Sequence, residues 1–560
     1  MNKINIALAT VAGIISFGSI TAQTLNDAVK KTMNERYETA SADFRAILRN
    51  TPNDAAANFF SGDNYYYWGE LDSANTMFEK GLASDRNNPL NYVGLGRSAW
   101  ANSNIATCAE NFTQAHSMIT AKGNKIPVDV QQIVLLKMAE TYIRSDKKNI
   151  EQAKAYIQQA LKLNDKNPEV YIQWGDLEME KEGSNRTTSI EQYEKAFSVD
   201  PKYTRALLRQ GQLWRRVENF DLAVEWFDKA IANDPTFAPA YREKGDVLFQ
   251  TSYKKPENVK RAAEQYKRYL ELNDSPSARM KYVGLLIKMS EHKLAIEELG
   301  KLMKKDSTNI GLFRALGYSY YEEKDYPKGL YYMDRFLNDV GSQTRYTLLP
   351  TDYIYRGKLH VQNGQDSLGV EDMKKAIELD PKNPETYGEI AGVYYKMKKY
   401  PQAAEYYQKK IENSKRKDEL DLFYLAKALY FSRDYVKSDS AFAQCPSYTE
   451  SHFWRGQCNF KMDSLEAPVG LANPHFEKFI VDVGIDSVNV EANKKNLIQS
   501  YAYFGFFHYT QKNYDCSKVA WLKVQELDLL NEKARVALED KDIKAAPGTC
   551  VLIMMPELKE

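Results

Sequence analysis

One pattern constrains this chain more than any other: a helical repeat with a period near 34 residues, running from about residue 30 to about residue 540. In its clearest window Leu207, Gly211 and Trp214 stand at i, i+4 and i+7, one face of a helix. Ala223, Phe227 and Ala230 repeat that spacing and mark a second helix. Asn219-Phe220-Asp221 reads as the short turn between them, and Pro235 stops the second helix before the next unit. Each unit is therefore a helical hairpin. Small residues let two backbones approach closely, and the aromatic fills the space between them. The same skeleton returns as Gly62, Ala74 and Phe78, as Gly96, Cys108 and Phe112, and as Gly175, Tyr193, Ala196 and Pro201. It recurs as Gly357, Gly369, Met373 and Pro381, and in degraded form as Gly505, Ser517 and Trp521.

These windows resemble the tetratricopeptide repeat family. The resemblance implies an all-α fold, an α-solenoid superhelix of about thirteen hairpins. An ordinary globular chain of 560 residues would hold roughly four domains; a repeat array replaces them with one quasi-linear body. The implied division is an N-terminal array over 23–340, a C-terminal array over 341–544 with an insertion at 462–496, and a tail over 545–560. The 38 tyrosines, against 23 phenylalanines and 7 tryptophans, fit this fold. A phenol ring can pack between helices while its hydroxyl reaches the wet rim.

The repeat breaks in several places. Residues 144–151, 181–189 and 250–262 lengthen turns inside hairpins, which costs little loop entropy. The link Asn338–Pro350 is the expected bend between the two arrays. The segment 462–496 holds Pro468, Gly470, Pro474 and Gly484, with Phe479–Val483 reading as strand-like. It is either a tolerated surface insertion or a loop that touches a partner. Beyond Lys544 the apolar run Val551–Met555 is expected to dock on the last hairpin as a cap. A linear motif bound by another protein is the alternative.

At the other end, Lys3 precedes an apolar stretch from Ile4 to Ile20, and Ala22 supplies a small residue. This is the pattern of a secretory signal over residues 1–22, with cleavage leaving Gln23 first. An uncleaved anchor is the competing reading. After cleavage no segment is apolar enough to span a bilayer, so the expected location is the periplasm or the periplasmic face of the outer membrane. The stretch ending in Ala22-Gln23 resembles exported proteins of the Bacteroidetes. Five cysteines leave at least one thiol unpaired; Cys516 and Cys550 form the candidate disulfide, because the bond would tie the tail to the last repeat.

Charge and motifs exclude whole classes of function. Lys plus Arg total 76 and Asp plus Glu 75, a net charge of +1, so nucleic acid is not an expected partner. The six histidines form no His-Glu-x-x-His pair, and no nucleophile elbow or phosphate-loop lysine occurs. Neither enzymatic activity, nor a cofactor, nor a metal is expected. A protein or peptide partner is. The resemblance places ligand contacts on the first helix of each unit, one residue after the small consensus position and three and four beyond that. The candidates are Tyr66, Tyr67, Trp100, Arg215, Arg216, Tyr318, Tyr321, Tyr395, Tyr430, Phe431, Phe460, Phe506 and Tyr509. Packing against neighbouring units is the bland alternative for each. The asparagines of a chaperone-binding carboxylate clamp are missing from these positions. The sequence thus reads as an exported scaffold of a cell-envelope or secretion-linked complex. A glycan- or small-ligand-binding component of an envelope uptake system is the alternative. Oligomeric state is not legible.

Overall fold

A computed structural model describes residues 19–144, 148–181, 183, 186–340 and 346–553. Thirty helices and no strand occur among these residues. The first twenty-eight pair in sequence as fourteen hairpins, followed by the short helices Glu532–Glu539 and Lys541–Ala545. The additional hairpin is the first one, Ser19–Met33 and Tyr37–Asn50. Its skeleton of Ala28, Ala40 and Phe44 is fully buried but carries no glycine or tryptophan to mark it. Its first helix also begins inside the apolar leader-like run. Most of that expected leader lies outside the described residues.

Local chemistry sets each hairpin. In the pair Thr204–Arg216 and Phe220–Asn233, Glu218 takes φ 59° in the left-handed region. The Asn219 N–H then reaches back to the Trp214 carbonyl at 2.9 Å and closes the first helix. The Asn219 side chain accepts from the Leu222 N–H at 3.3 Å and caps the second. Phe220 and Asp221 therefore belong to the second helix, and the turn falls two residues earlier than the sequence pattern placed it. The same left-handed corner recurs at Glu35, Ser103 and Ser290.

The glycine–aromatic pairing explains the spacing of the repeat. A Cβ on Gly211 would sit 2.4 Å from the Phe227 ring, and one on Gly175 would sit 2.3 Å from Tyr193. The rings lie directly on the backbone of the facing helix. Tyr193 shows why tyrosine serves here: its ring is buried, and its hydroxyl donates to Asp176 at 2.9 Å. Gly211→Ala forces the Phe227 ring aside and is expected to cost about 1–3 kcal/mol. Thermal unfolding followed by circular dichroism measures this.

First helices of successive hairpins touch one another, as Ala55–Trp68 touches Pro89–Ala101 and that helix touches Val128–Arg144. Second helices stand farther apart, so the first helices line the concave side. The chain divides into two compact units, up to Ser307 and from Thr308 onward. This division falls one hairpin before the Asn338–Pro350 link. Eight hairpins make the N-terminal unit and six, with the two short helices, the C-terminal one.

Two segments differ from their sequence reading. Phe479–Val483 is not a strand but the end of the helix Asn473–Val483. Phe476, Phe479, Ile480 and Val483 are buried at i, i+3, i+4 and i+7, a helical period that the short run from Phe479 to Val483 conceals when read alone. The link before it is ordered by Asp463. That carboxylate accepts the backbone N–H groups of Ser464, Val469, Gly470 and Leu471 at 2.9–3.0 Å. The insertion is thus the second helix of a hairpin and the elongated start of the next one, Ser487–Thr510.

A disulfide joins Cys516 to Cys550, with Cα atoms 5.0 Å apart. Beside it the Asp515 carboxylate accepts from the backbone of Gly548 and of Thr549, the latter at 2.9 Å. Leu552 and Ile553 pack against the cluster holding Phe453, Phe476 and Tyr503, while Val551 is exposed. The remainder of the expected apolar cap, from Met554, lies outside the described residues.

The other three cysteines are free and buried. Burial pushes the Cys108 thiol up to about 12 and those of Cys445 and Cys458 to about 11. Native protein at pH 8 is therefore expected to resist alkylation at all three, and unfolded protein to react at all three. Mass-spectrometric peptide mapping distinguishes the two.

Candidate binding surfaces

The concave side of the N-terminal unit is built from positions beside the small consensus residues. Asp63 follows Gly62, Arg97 follows Gly96 and Glu140 follows Ala139, with Lys137 two residues before Ala139. Arg97 is almost completely buried and pairs with Asp63 and, at 3.3 Å, with Glu140. Lys137 reaches Asp63 at 2.7 Å. Tyr67 donates to Glu140 at 2.5 Å and accepts from Lys137 at 2.9 Å. The Arg97 guanidinium lies 4.2 Å from the Tyr66 ring centre. Burial by itself would raise the Glu140 carboxyl, but Arg144, Lys137, Arg97 and Arg205 hold it well below the usual carboxylate range.

This face also closes on itself. Glu35, at the left-handed corner of the first hairpin, accepts from Arg242 Nε and Nη2 at 3.0 and 2.8 Å and from the Tyr269 hydroxyl at 3.1 Å. The first hairpin thereby meets the seventh. A cavity of ≈ 640 Å³ remains inside. The five residues that the sequence placed in this part of the groove all have partners within the unit. Tyr66 and Tyr67 belong to the ionic cluster. Trp100 meets Tyr142 edge-on at 4.9 Å. Arg215 pairs with Glu243 at 2.7 Å, and Arg216 pairs with Glu180.

The C-terminal unit presents a different surface. Tyr395, Tyr430 and Phe431 stand on the first helices Pro384–Lys396 and Glu419–Phe431. Phe431 lies 6.1 Å from Tyr395, 5.4 Å from Tyr430 and 5.8 Å from Trp454 on the next first helix. Tyr400 stacks on Phe431 at 5.1 Å. Phe431 is 39% exposed, and the rings around it are half-buried. Nearer the start of the unit, Tyr318 stacks on Tyr355 at 4.2 Å and Tyr321 meets Tyr355 edge-on at 5.4 Å. Tyr318 also donates to the buried Asp352 at 2.5 Å. Phe460, partly buried, packs on Tyr503 at 5.5 Å against the core of the insertion. Phe506 and Tyr509 line an open hollow beside Trp521, Val536 and Ile543 near the C-terminal end.

Three members of these aromatic groups escaped the sequence reading: Tyr355, Tyr400 and Trp454. Tyr355 and Trp454 each stand two residues before the small residue of their unit, Gly357 and Gly456. That is one helical turn before the stripe used to choose candidates. Extending the stripe finds both. Tyr400 opens a second helix and carries no such signal.

Comparison with known proteins agrees with the repeat. Tetratricopeptide repeat family profiles match residues 182–236, and also 135–167 and 353–383. The chain carries tetratricopeptide repeats in an all-α solenoid. It is 21% identical over 238 residues to Hsp70-Hsp90 organizing protein 3 of Arabidopsis thaliana, covering 41% of this chain and 40% of the relative. It is 23% identical over 255 residues to the Hsp70-Hsp90 organizing protein of Triticum aestivum, covering 43% and 42%. The chain thus spans well under half the length of these curated relatives. Among solved structures, the C-terminal part of a TPR repeat-containing protein from Cytophaga hutchinsonii is 25% identical. It covers 46% of this chain and 99% of that one, with a TM-score of 0.40. Among the described residues no helix is long and apolar enough to cross a membrane.

Proposed function

We propose that this protein is an exported, non-enzymatic scaffold that grips a protein or peptide segment on the concave aromatic face of its C-terminal unit, within a cell-envelope or secretion-linked complex. One observation carries the reading. Tyr395, Tyr430, Phe431 and Trp454 form a continuous, partly exposed aromatic surface across three successive first helices. Tyr and Trp are enriched among the residues that dominate interface energies, because rigid rings bury large area at little entropic cost. Lys427 lies 5.0 Å from the Trp454 ring and gives the surface a polar edge. The concave side of the N-terminal unit, by contrast, is already occupied by its own ion pairs. The leader-like start supports export, and the Cys516–Cys550 bond suits an oxidising compartment.

Two measurements test this. Mass spectrometry of envelope-fraction protein is expected to find Gln23 as the first residue; a chain retaining Met1 in the cytoplasm removes the export reading. Affinity capture from the same fraction is expected to return a reproducible protein partner. Glycan binding without any protein partner would replace the scaffold with the uptake reading.

A further inference from the structure

We propose that the cavity inside the N-terminal unit binds a small dianion bearing phosphoryl or carboxylate groups. Six basic and four acidic side chains line it. Three of the basic groups are already matched. Arg205 meets Glu169 at 2.8 Å, Arg209 meets Asp176 at 2.8 Å, and Arg242 meets Glu35 at 2.8 Å. The remaining three are Arg144, Lys148 and Arg216.

Their carboxylates are shared. Arg144 contacts Glu140 at 3.0 Å, while Lys148 at 2.5 Å and Arg216 both hold Glu180. Glu140 also serves Arg97 and Lys137, together with Asp63. Among the described residues these contacts form two groups. Arg97, Lys137, Arg144 and Arg205 share Asp63, Glu140 and Glu169, while Lys148 and Arg216 share Glu180. The excess is 6 − 4 = 2 positive charges, one in each group.

The excess has a location. The Arg97 side chain is 1% exposed and enclosed by its partners, whereas those of Arg144, Lys148 and Arg216 are 41%, 40% and 45% exposed. These three line the cavity together. Arg209 Nε, on the same wall, is buried with no hydrogen-bond partner. Each group carries one positive charge more than its carboxylates balance, and a bound dianion cancels an excess of two. Guanidinium forks suit planar or tetrahedral oxyanions, which they hold with two parallel N–H donors. The volume of ≈ 640 Å³ lies within the ordinary range of small-ligand sites, roughly 300–1,000 Å³.

Isothermal titration calorimetry of the full chain at pH 7.5 and low ionic strength tests the site, with inorganic phosphate and succinate as separate probes. One-site binding of at least one probe is expected, and the probe that binds better names the oxyanion. Arg216→Gln and Lys148→Gln are each expected to weaken binding about tenfold or more, the loss of one charged hydrogen bond. Lys229→Gln, on a second helix with Glu225 as its partner, is expected to leave binding unchanged. Circular dichroism confirms folding of each variant, and Lys148→Gln carries the test if Arg216→Gln does not fold. No heat with either probe overturns the proposal, as does equal affinity in a folded Arg216→Gln or Lys148→Gln variant.

Discussion

Replacing Arg97 with alanine is expected to destabilise the N-terminal unit by about 3–5 kcal/mol, the usual cost of removing one partner from a buried ionic network. The side chain is almost completely enclosed, and its removal takes away the guanidinium that joins the Asp63 and Glu140 carboxylates. Asp63 and Glu140 would remain buried with Lys137 as their nearest shared cation. Hydrogen exchange of peptides within residues 55–144 reads the effect. At about 1.4 kcal/mol per tenfold, exchange through global opening should accelerate by about two to four orders of magnitude. Adding Asp63→Asn to Arg97→Met is expected to recover part of the loss, since it removes the carboxylate that loses most.

The same network fixes a pH dependence. The Glu140 carboxyl is depressed in the folded state, so its contribution is fully present above the unfolded value of about 4.3 and is lost as pH falls below it. Wild-type protection over residues 55–144 should therefore decline as pH falls below about 5. The gap between wild type and Arg97→Ala should narrow over that window. A gap that widens on acidification contradicts the assignment of charge to Glu140.

Joint substitution of Tyr395 and Phe431 by alanine is expected to weaken partner binding by at least about thirtyfold, or 2 kcal/mol. The two rings stand on neighbouring first helices, 6.1 Å apart, and Phe431 is the most exposed member of its cluster. Stability should change far less, because Phe423 and Phe442 carry the buried contact of that hairpin at 5.4 Å. The converse variants separate packing from binding. Phe442→Ala should lower the melting temperature of the C-terminal unit, and Tyr66→Ala should leave the partner bound.

The repeat was legible in the sequence because its determinants are local. Gly211 and Phe227 specify a close helix–helix approach wherever they fall at that spacing. The first hairpin was hidden because Ala28, Ala40 and Phe44 give no such signature and the leader-like run overlaps its start. The helix at 473–483 was hidden because the run from Phe479 to Val483, four apolar residues and Asp482, reads equally as a strand and as a buried helix turn. The aromatic surface was half legible: Tyr395 and Phe431 follow from the stripe rule, and Trp454 follows once the stripe is extended. The ionic interior was not legible as a network. Asp63 and Arg97 occupy predicted concave positions, but their pairing with Lys137 and Glu140 depends on how successive hairpins rotate. The Glu35–Arg242 contact depends on a full turn of the array, which no local pattern encodes.

The partner is expected to lie on the C-terminal aromatic face and not inside the N-terminal unit. Site-specific photo-crosslinking in the envelope locates it, with p-benzoyl-phenylalanine placed in turn at Phe431, at Trp226 on a second helix, and at Tyr66. A covalent adduct to one protein partner from position 431, with none from 226 or 66, is the predicted result. An adduct to that partner from position 66 but not from 431 would contradict it.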